Sequence, residues 1–490
     1  MTRLTRRFIL TGMLGGLAGR ALAEAPMISP RPPARPLQVG AVSALPAAEL
    51  IRAAGLGGRV GFVVADARTG LVLEASDSDL PMPPASTAKI ITSLYALDHL
   101  GPGYRFGTRL IATGPVAGGK VQGDLVLAGG GDPVLSTDDL GDLATALRKA
   151  GVTGVTGRFL VWGGALPYLE AIDQSQPEWL GYNPAVSGLN LNFNRVNFVW
   201  KRAGSGYEIG MDARDTRFAP QVYSARVKIA DRDLPVYTYR NGGKVEEWTV
   251  AKGALGKGGS RWLPVRRPDL YAGDVFQTLA RAQGVPLPAP EVVQRLPGGN
   301  VLAQHGSSEL RAILRGMMKY STNMTAETVG MAASARQGVS SHVASGRAMA
   351  DWVKARAGIG SARFADHSGL AGASRISAAD MVRVLVKLGP GGQLGGLMKE
   401  IRYKDDAGRP LAGVQVLAKT GTLNFVSALA GYVSVGGSDL AFAIFTGDIA
   451  RRDAVPDSQK ERPDGGRAWA GRSRKMQQQL IQRWAAVYSG

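Results

Sequence analysis

Residues 415–446 read QVLAKTGTLNFVSALAGYVSVGGSDLAFAIFT, three apolar, β-branched runs separated by turn residues. This pattern predicts an antiparallel meander of three strands, Gln415–Lys419, Ser427–Val435 and Leu440–Thr446. Near the other end of the chain, Gly61–Asp66 and Leu71–Glu74 flank a turn and predict a β-hairpin. Each piece alone exposes strand edges and an apolar face. We therefore expect the hairpin and the meander to form one antiparallel sheet.

Helical patterns supply the layers that would cover this sheet. Two helices, Ser86–Leu100 and Arg467–Tyr488, place apolar residues at helical spacing and are expected to flank the sheet. Further helices are predicted over Tyr271–Gln283, Leu310–Met318, Met324–Ser334, Ser345–Ala355 and Ala378–Leu388. The predicted fold class is α/β (α+β), an antiparallel sheet flanked by helices.

The middle of the chain has a different sequence pattern. From about residue 104 to 266, short strand-like runs alternate with glycine-rich turns, interrupted by one helical segment near Leu140–Ala150. The predicted strands are Val121–Leu127, Val155–Val161, Asn192–Lys201 and Ser224–Ile229. We interpret residues 104–266 as an inserted β-rich region of one or two smaller domains. Residues 47–103 and 267–490 would then be the two halves of the main domain.

The first residues are typical of an export signal. Met1–Ala23 combines a basic start, a short apolar stretch and the cleavage pattern Ala21-Leu22-Ala23. Arg6-Arg7 is compatible with the twin-arginine route as well as with general secretion. We expect cleavage after Ala23, a linker over residues 24–46, a periplasmic protein, and no transmembrane helix in the mature chain.

Composition narrows the classes of function. The 490 residues include no cysteine and four histidines without metal-binding spacing, which excludes disulfides and thiolate metal sites. The net charge is +19, but no nucleic-acid-binding motif accompanies it, so we expect no nucleic-acid partner. Two interpretations of the charge stay open: contact with an anionic wall polymer or membrane surface, and a solvated basic surface.

Ser86–Lys89 reads STAK and falls on a predicted helix. A serine hydroxyl needs a base to become a nucleophile, and Lys89 lies one turn after Ser86 on the same helix face. Apolar neighbours favour a neutral lysine that can act as that base. An isolated S-x-x-K is more often a surface lysine after a helix-capping serine, so this motif needs support from elsewhere in the chain.

Two further motifs supply that support. Ser321–Asn323 reads STN in a polar turn between helices, where hydroxyl and amide groups could relay a proton and hold a substrate amide. Lys419–Gly421 reads KTG at the end of a predicted strand, followed by Thr422. Its lysine and threonine side chains suit an anionic group, and Gly421 lets a substrate backbone approach the strand. By itself, each of these two motifs is typical of an ordinary turn. The three motifs together, in this order along the chain, indicate an acyl-transfer site.

With these motifs the sequence resembles the active-site-serine penicillin-recognising enzymes. It is most similar to the class C low-molecular-mass penicillin-binding proteins, the D-alanyl-D-alanine carboxypeptidase/endopeptidase family. The wide spacing between Ser86 and Ser321 matches that family, which carries extra domains there. Asp366–Leu370 (DHSGL) and Ser187–Asn194 (SGLNLNFN) are also similar. One departure is Ala371–Ala373, which intervenes before Ser374-Arg375 and puts the shape of this loop in question.

The resemblance implies a penicillin-recognising, transpeptidase-like fold and a serine-type D-Ala-D-Ala carboxypeptidase. The substrates would be peptidoglycan peptides ending in D-Ala-D-Ala, and β-lactam antibiotics would be covalent inhibitors. Ser86 would be acylated with Lys89 as base, Ser321 would pass a proton to the leaving amine, and Asn323 would bind the acyl-side amide. The groups that would hold the terminal carboxylate are Lys419, Thr420 and Thr422. No metal or cofactor is implied.

Two other functions remain alternatives. A serine β-lactamase would need rapid deacylation, for which the sequence offers no obvious dedicated base. A non-catalytic peptidoglycan-binding scaffold would need only the inserted β-rich region, with a vestigial serine site. The presence of all three motifs argues against the scaffold.

Overall fold

A computed structural model describes residues 45–389, 394–404 and 408–488. The predicted signal peptide, residues 1–23, and nearly all of the predicted linker, residues 24–46, lie outside the described residues. Within the described part, no helix has both the length and the apolar character needed to cross a bilayer.

The helices and strands follow the predicted order, with additions. The helices are α1 (Ala47–Ala54), α2 (Ala88–Leu100), α3 (Thr137–Lys149), α4 (Pro268–Ala282), α5 (Leu310–Tyr320), α6 (Asn323–Ala335), α7 (His342–Ala357), α8 (Ala378–Leu388), α9 (Ile449–Asp453) and α10 (Gly466–Val487). The strands are β1 (Arg59–Asp66), β2 (Val72–Ser76), β3 (Gly107–Ala112), β4 (Val116–Ala117), β5 (Lys120–Val121), β6 (Leu125–Gly129), β7 (Gly154–Val155), β8 (Phe159–Trp162), β9 (Arg195–Ala203), β10 (Gly206–Asp212), β11 (Ala225–Ala230), β12 (Tyr237–Asn241), β13 (Glu246–Ala251), β14 (Gly258–Pro264), β15 (Pro290–Val292), β16 (Asn300–Gly306), β17 (Lys399–Glu400), β18 (Val414–Leu423), β19 (Val426–Val435) and β20 (Ser438–Gly447).

The predicted sheet is present. Its order is β17-β18-β19-β20-β1-β2, with antiparallel pairing throughout. Strand β1 pairs along its whole length with β20, from Arg59 opposite Gly447 to Asp66 opposite Leu440. The N-terminal hairpin therefore completes the C-terminal meander, as the exposed edges of the two pieces require.

The two faces of this sheet pack against different helices. Because side chains alternate along a strand, Phe62 and Val63 of β1 point to opposite faces. On one face, Trp484 of α10 lies 5.7 Å from the Phe62 ring and 5.8 Å from the Phe442 ring. On the other face, α8 contacts β1 and β20, and Val63 belongs to the core that also contains α2. The predicted cover of the sheet by the terminal helix is thus observed.

Helix α2 lies at the centre of the helical layer and is buried along most of its length. It packs against α5, α6 and α7. The turn before it, Ala85–Thr87, also contacts β18 and β19. The start of α2 is therefore held between strands β18 and β19 of the sheet and the helices.

The middle of the chain forms several smaller sheets around a second apolar core. A five-stranded sheet has the order β15-β8-β6-β3-β16, and three-stranded sheets have the orders β10-β9-β14, β11-β13-β12 and β4-β5-β7. Helix α4 packs into the same core, where Phe276 lies 5.7 Å from Phe159 between ring centroids. Strands β15 and β16 lie beyond residue 266, so the predicted boundary there does not coincide with the end of this sheet.

The ends of this region lie side by side. Ser307 N donates to Phe106 O at 2.8 Å, and Phe106 N donates to Ser307 Oγ at 2.9 Å. A segment that leaves and rejoins a domain at adjacent residues is compatible with an insertion.

Two predicted strands of the middle region are each interrupted by a turn. The interruption within residues 121–127 lies at Gly123, which has φ of 153°, and the one within residues 155–161 lies at Gly157. A Cβ on Gly157 would lie 2.7 Å from the Gly123 carbonyl oxygen, so the two turns approach too closely for larger residues. The glycines in these two stretches indicated turns, but the sequence did not indicate that the two turns would lie against each other.

Candidate active site

Ser86 lies in the short 3-10 turn Ala85–Thr87 that leads into α2. Ala85 has a left-handed backbone with φ of 46°, and two glycines leave room for this turn. A Cβ on Gly421 would lie 2.8 Å from Ser86 N, and a Cβ on Gly369 would overlap the Ala85 carbonyl oxygen. The position of Ser86 therefore depends on close approach by β18 and by the 366–370 loop.

Lys89 is fully buried and has three partners. Its Nζ lies 3.0 Å from Ser86 Oγ, 2.8 Å from Asn323 Oδ1 and 2.7 Å from Ser368 O. Burial lowers the pKa of Lys89 to about 8, against the opposing effect of the negative charges of Asp366 and Glu327. When Lys89 is neutral, its two N–H groups can donate to Asn323 Oδ1 and Ser368 O. Its lone pair can then accept the Ser86 hydroxyl proton.

A second lysine lies on the other side of the site. Lys419 Nζ donates to Ser321 Oγ at 2.9 Å and to Thr420 O at 2.7 Å, and the side chain is 2% exposed. Burial, together with the positive charges of Lys89 and Lys399, lowers the pKa of Lys419 to about 6. Lys419 therefore gives up its proton more easily than Lys89 does.

Ser321 is positioned by a left-handed backbone, with φ of 59°, at the junction between α5 and α6. Two residues later, Asn323 begins α6. Its Oδ1 accepts from Lys89, and its Nδ2 donates to Tyr182 O at 3.0 Å. Tyr182 belongs to the middle region, so that region reaches the site directly.

The alternation of β18 divides its predicted residues into two groups. Lys419 and Gly421 are buried, whereas Thr420 and Thr422 are exposed on the opposite face. The structure thus brings the three motifs together, and contacts link seven of the predicted site residues: Ser86, Lys89, Ser321, Asn323, Lys419, Thr420 and Gly421. Thr422 follows Gly421 on β18 and is exposed.

A buried polar network that the sequence did not predict lies beneath Lys89. Glu327 of α6 is fully buried and accepts from the backbone N–H groups of His367 at 3.0 Å and Ser368 at 2.8 Å. His342 Nε2 lies 2.8 Å from the same carboxylate. Despite burial, the hydrogen bond and the charge of His342 keep the pKa of Glu327 below its usual range. The sequence feature that could have indicated this network is a glutamate one turn after Asn323 on an apolar helix.

The same network fixes the 366–370 loop. Asp366 is fully buried and accepts from Ser368 Oγ and from Ala371 N, at 3.0 and 2.8 Å. Burial and the charge of Glu327 raise the pKa of Asp366. The loop holds the Ser368 carbonyl oxygen against Lys89, and its adjacent Asp, His and Ser residues do not form a catalytic triad.

Comparisons with known proteins identify the class. The family model described as D-Ala-D-Ala carboxypeptidase 3 (S13) matches residues 47–465. The D-alanyl-D-alanine carboxypeptidase of Actinomadura sp. (strain R39) is 28% identical over 421 residues, which is 78% of this chain and 77% of that protein. The D-alanyl-D-alanine carboxypeptidase DacB of Haemophilus influenzae is 25% identical over 452 residues, 83% of this chain and 90% of that protein.

Solved structures agree on the fold. Penicillin binding protein 4 (dacB) from Haemophilus influenzae superposes with a TM-score of 0.71 at 21% identity, covering 91% of this chain and 98% of that one. The same protein complexed with a β-lactam superposes with a TM-score of 0.70. The fold is that of the penicillin-recognising enzymes. The chain belongs to the D-Ala-D-Ala carboxypeptidase 3 (S13) family, and the predicted family, fold class and enzyme class are confirmed.

Proposed function

We propose that this enzyme is a serine-type D-Ala-D-Ala carboxypeptidase and endopeptidase that cleaves peptidoglycan peptides through an acyl-enzyme at Ser86. The observation that carries the proposal is the Lys89 amine. It is fully buried, lies 3.0 Å from Ser86 Oγ, and has its other directions occupied by Asn323 Oδ1 and Ser368 O. A neutral amine held in this way is a base directed at one hydroxyl.

The chemistry follows from this geometry. Lys89 takes the Ser86 proton as Oγ bonds to the carbonyl carbon between two D-alanines, and the backbone N–H groups of Ser86 and Thr422 stabilise the oxyanion. The C–N bond then breaks, and the leaving nitrogen gains a proton through Ser321. Water next adds to the acyl carbon, the bond between that carbon and Ser86 Oγ breaks, and a proton from the water restores the Ser86 hydroxyl. Neither step requires a metal or a cofactor.

The substrate carboxylate also has a part in this mechanism. We assign the substrate carboxylate to Lys419, whose Nζ lies beside Ser321 Oγ, and to the exposed hydroxyls of Thr420 and Thr422 on β18. A carboxylate bound there raises the pKa of Lys419, because it offsets the burial that lowers it. A charged Lys419 in turn lowers the pKa of Lys89, since the two cations repel. Substrate binding therefore moves a proton toward Lys419 and leaves Lys89 as the free base.

The middle region contributes to the acyl side of the site. Its Tyr182 carbonyl accepts from Asn323, the residue that we assign to the acyl-side amide. Strand pairing favours an insertion over residues 107–306 within one catalytic domain, rather than the sequence boundary at 266. We also propose export to the periplasm with removal of residues 1–23, since the substrate lies outside the cytoplasm. The N-terminus of the mature protein tests this last point.

Mass spectrometry after treatment with penicillin tests the nucleophile. We expect one acyl group, located on Ser86 by peptide mapping, and release of D-alanine from a D-Ala-D-Ala pentapeptide. Ser86→Ala should lose both, whereas Ser205→Ala changes an exposed serine in the turn between β9 and β10 and serves as the control. Acylation of another serine would contradict the assignment.

The same experiment separates the two alternatives. A serine β-lactamase would hydrolyse penicillin rapidly and leave little adduct at steady state. A non-catalytic scaffold would show neither adduct nor D-alanine release, although it would still bind peptidoglycan. A persistent adduct together with D-alanine release supports the peptidase.

A further inference from the structure

A basic cleft adjoins one end of the active site. It encloses about 340 Å³ between the end of α5, strand β17 and the middle of β18. Ser321, Lys419 and Thr420 line it, together with charged residues that belong to no predicted motif: Lys319, Lys399, Glu400 and Arg402. This volume falls within the range of about 300–1,000 Å³ typical of small-molecule sites.

The charges of the cleft are unbalanced. Lys319, Lys399 and Arg402 are exposed cations, and Glu400 is the one carboxylate among the lining residues, paired with Arg402 at 3.6 Å. Strand pairing sets Lys399 opposite Ala418, the residue before Lys419. The cleft thus continues the cationic end of the site outward, and it suits a ligand with carboxylates.

The position of the cleft indicates which half of the substrate would bind there. Neither Ser86 nor Asn323 lines it, and the amide of Asn323 faces Tyr182, outside the cleft lining. With Asn323 holding the acyl half of the peptide, the acyl half extends toward Tyr182. The leaving half, released at Ser321, extends toward Lys399 and Arg402.

We propose that this cleft binds the leaving strand of a cross-linked wall peptide, the strand whose side-chain amine is set free when the cross-link is cut. This proposal rests on the proposed function of the site. A terminal D-alanine ends at its carboxylate beside Lys419 and leaves the outer cleft empty. A cross-linked strand continues past that carboxylate and carries further carboxylates, which Lys399 and Arg402 would attract. The cleft therefore determines preference for cross-links over free termini.

The test compares two substrates in two double variants. Lys399→Gln/Arg402→Gln neutralises the outer cleft, and Lys201→Gln/Lys228→Gln makes the same charge change on exposed strand positions of the middle region. Each variant receives a dimeric cross-linked muropeptide and a D-Ala-D-Ala pentapeptide at low salt. Each kcat/KM is divided by the rate of penicillin acylation of that variant, so that damage at Ser86 cancels.

We expect the cleft variant to lose about tenfold in dimer cleavage relative to pentapeptide hydrolysis, two contacts of roughly threefold each. The control variant should keep the ratio of the wild-type enzyme. Salt at about 0.5 M should shrink the difference, since exposed charges are screened.

Three outcomes are distinguishable. An unchanged substrate ratio in the cleft variant, with normal acylation of Ser86, overturns the leaving-strand site and leaves the proposed function intact. An equal fall of the ratio in both variants also overturns it, because general charge would then explain the preference. No acylation and no D-alanine release in the wild-type enzyme overturns the proposed function itself.

Discussion

Two buried lysines lie in the candidate site, Lys89 beside Ser86 Oγ and Lys419 beside Ser321 Oγ. In the proposed mechanism their protonation states must differ. Burying an ammonium group is costly, and a lysine responds by losing its proton more easily. Burial lowers the pKa of Lys89 to about 8 and that of Lys419 to about 6. This order is the reverse of what the proposed mechanism needs, so we infer that the substrate carboxylate reverses it.

This reasoning predicts a pH dependence that varies with the ligand. The rate of Ser86 acylation should rise with pH as Lys89 loses its proton, because only the neutral amine accepts the hydroxyl proton. For a ligand with a free carboxylate, the midpoint should fall below the value of about 8, since a charged Lys419 repels a proton on Lys89. For the corresponding carboxamide, the midpoint should lie higher. Stopped-flow acylation from about pH 5 to 10 measures both midpoints.

Lys419→Gln provides the control, because it removes the charge that couples the carboxylate to Lys89. In this variant the two ligands should share one midpoint. A ligand-dependent midpoint that survives in Lys419→Gln would contradict the coupling.

At the scale of the elements, the first two turns of α6 contribute two residues to the candidate site. Asn323 at its start contacts Lys89, and Glu327 one turn later holds the backbone N–H groups of His367 and Ser368. The loop so held presents the Ser368 carbonyl oxygen to Lys89. We therefore propose that Glu327 is a positioning residue, which acts on Lys89 through the loop and through its charge.

Glu327→Gln tests this role. The amide presents a donor where the carboxylate accepted, so the free energy of unfolding should fall by about 2 kcal/mol. Loss of a negative charge that raises the pKa of Lys89 should also move the acylation profile to lower pH. Thermal melting and the pH profile measure the two effects. Glu208→Gln, an exposed change on β10, should alter neither.

The two readouts distinguish positioning from stability alone. A purely structural Glu327 would lower the melting temperature and the rate while the pH profile kept its midpoint. That result would contradict the proposed electrostatic role of Glu327.

At the scale of the whole molecule, the middle region joins the catalytic domain through adjacent strands. Phe106 and Ser307 exchange hydrogen bonds, whereas residue 266 lies in the chain between Val265 and Tyr271, which both belong to the second core. Deletion of residues 107–306 with a short glycine linker should therefore give a folded protein that still reacts with penicillin. A protein that lacks residues 104–266 should not fold, because α4, β15 and β16 lose the elements that they pack against.

Circular dichroism melting and penicillin labelling of the two deletion proteins check this expectation. The 107–306 deletion loses the Tyr182 contact to Asn323, so it should react more slowly than the intact enzyme. Equal cooperative unfolding of both deletions would contradict the boundary at residue 306.

Sequence alone determined the features that depend on local pattern. The alternation of apolar residues predicted the strands of the main sheet, and the exposed edges of hairpin and meander predicted their pairing. Lys89 could be placed near Ser86 because three residues on a helix turn guarantee that proximity. Family resemblance then joined Ser321 and Lys419 to the site, although neither is near Ser86 in sequence.

Tertiary structure alone decided what depends on contacts between distant segments. Lys89 contacts Asn323, 234 residues away in sequence, and Lys419 contacts Ser321, 98 residues away. No local sequence pattern predicts contacts between residues so far apart. The support of the loop by Glu327, the Tyr182 contact and the basic cleft also arise from such packing. Burial sets the pKa of each lysine, and burial is a property of the folded chain because it depends on which segments exclude water.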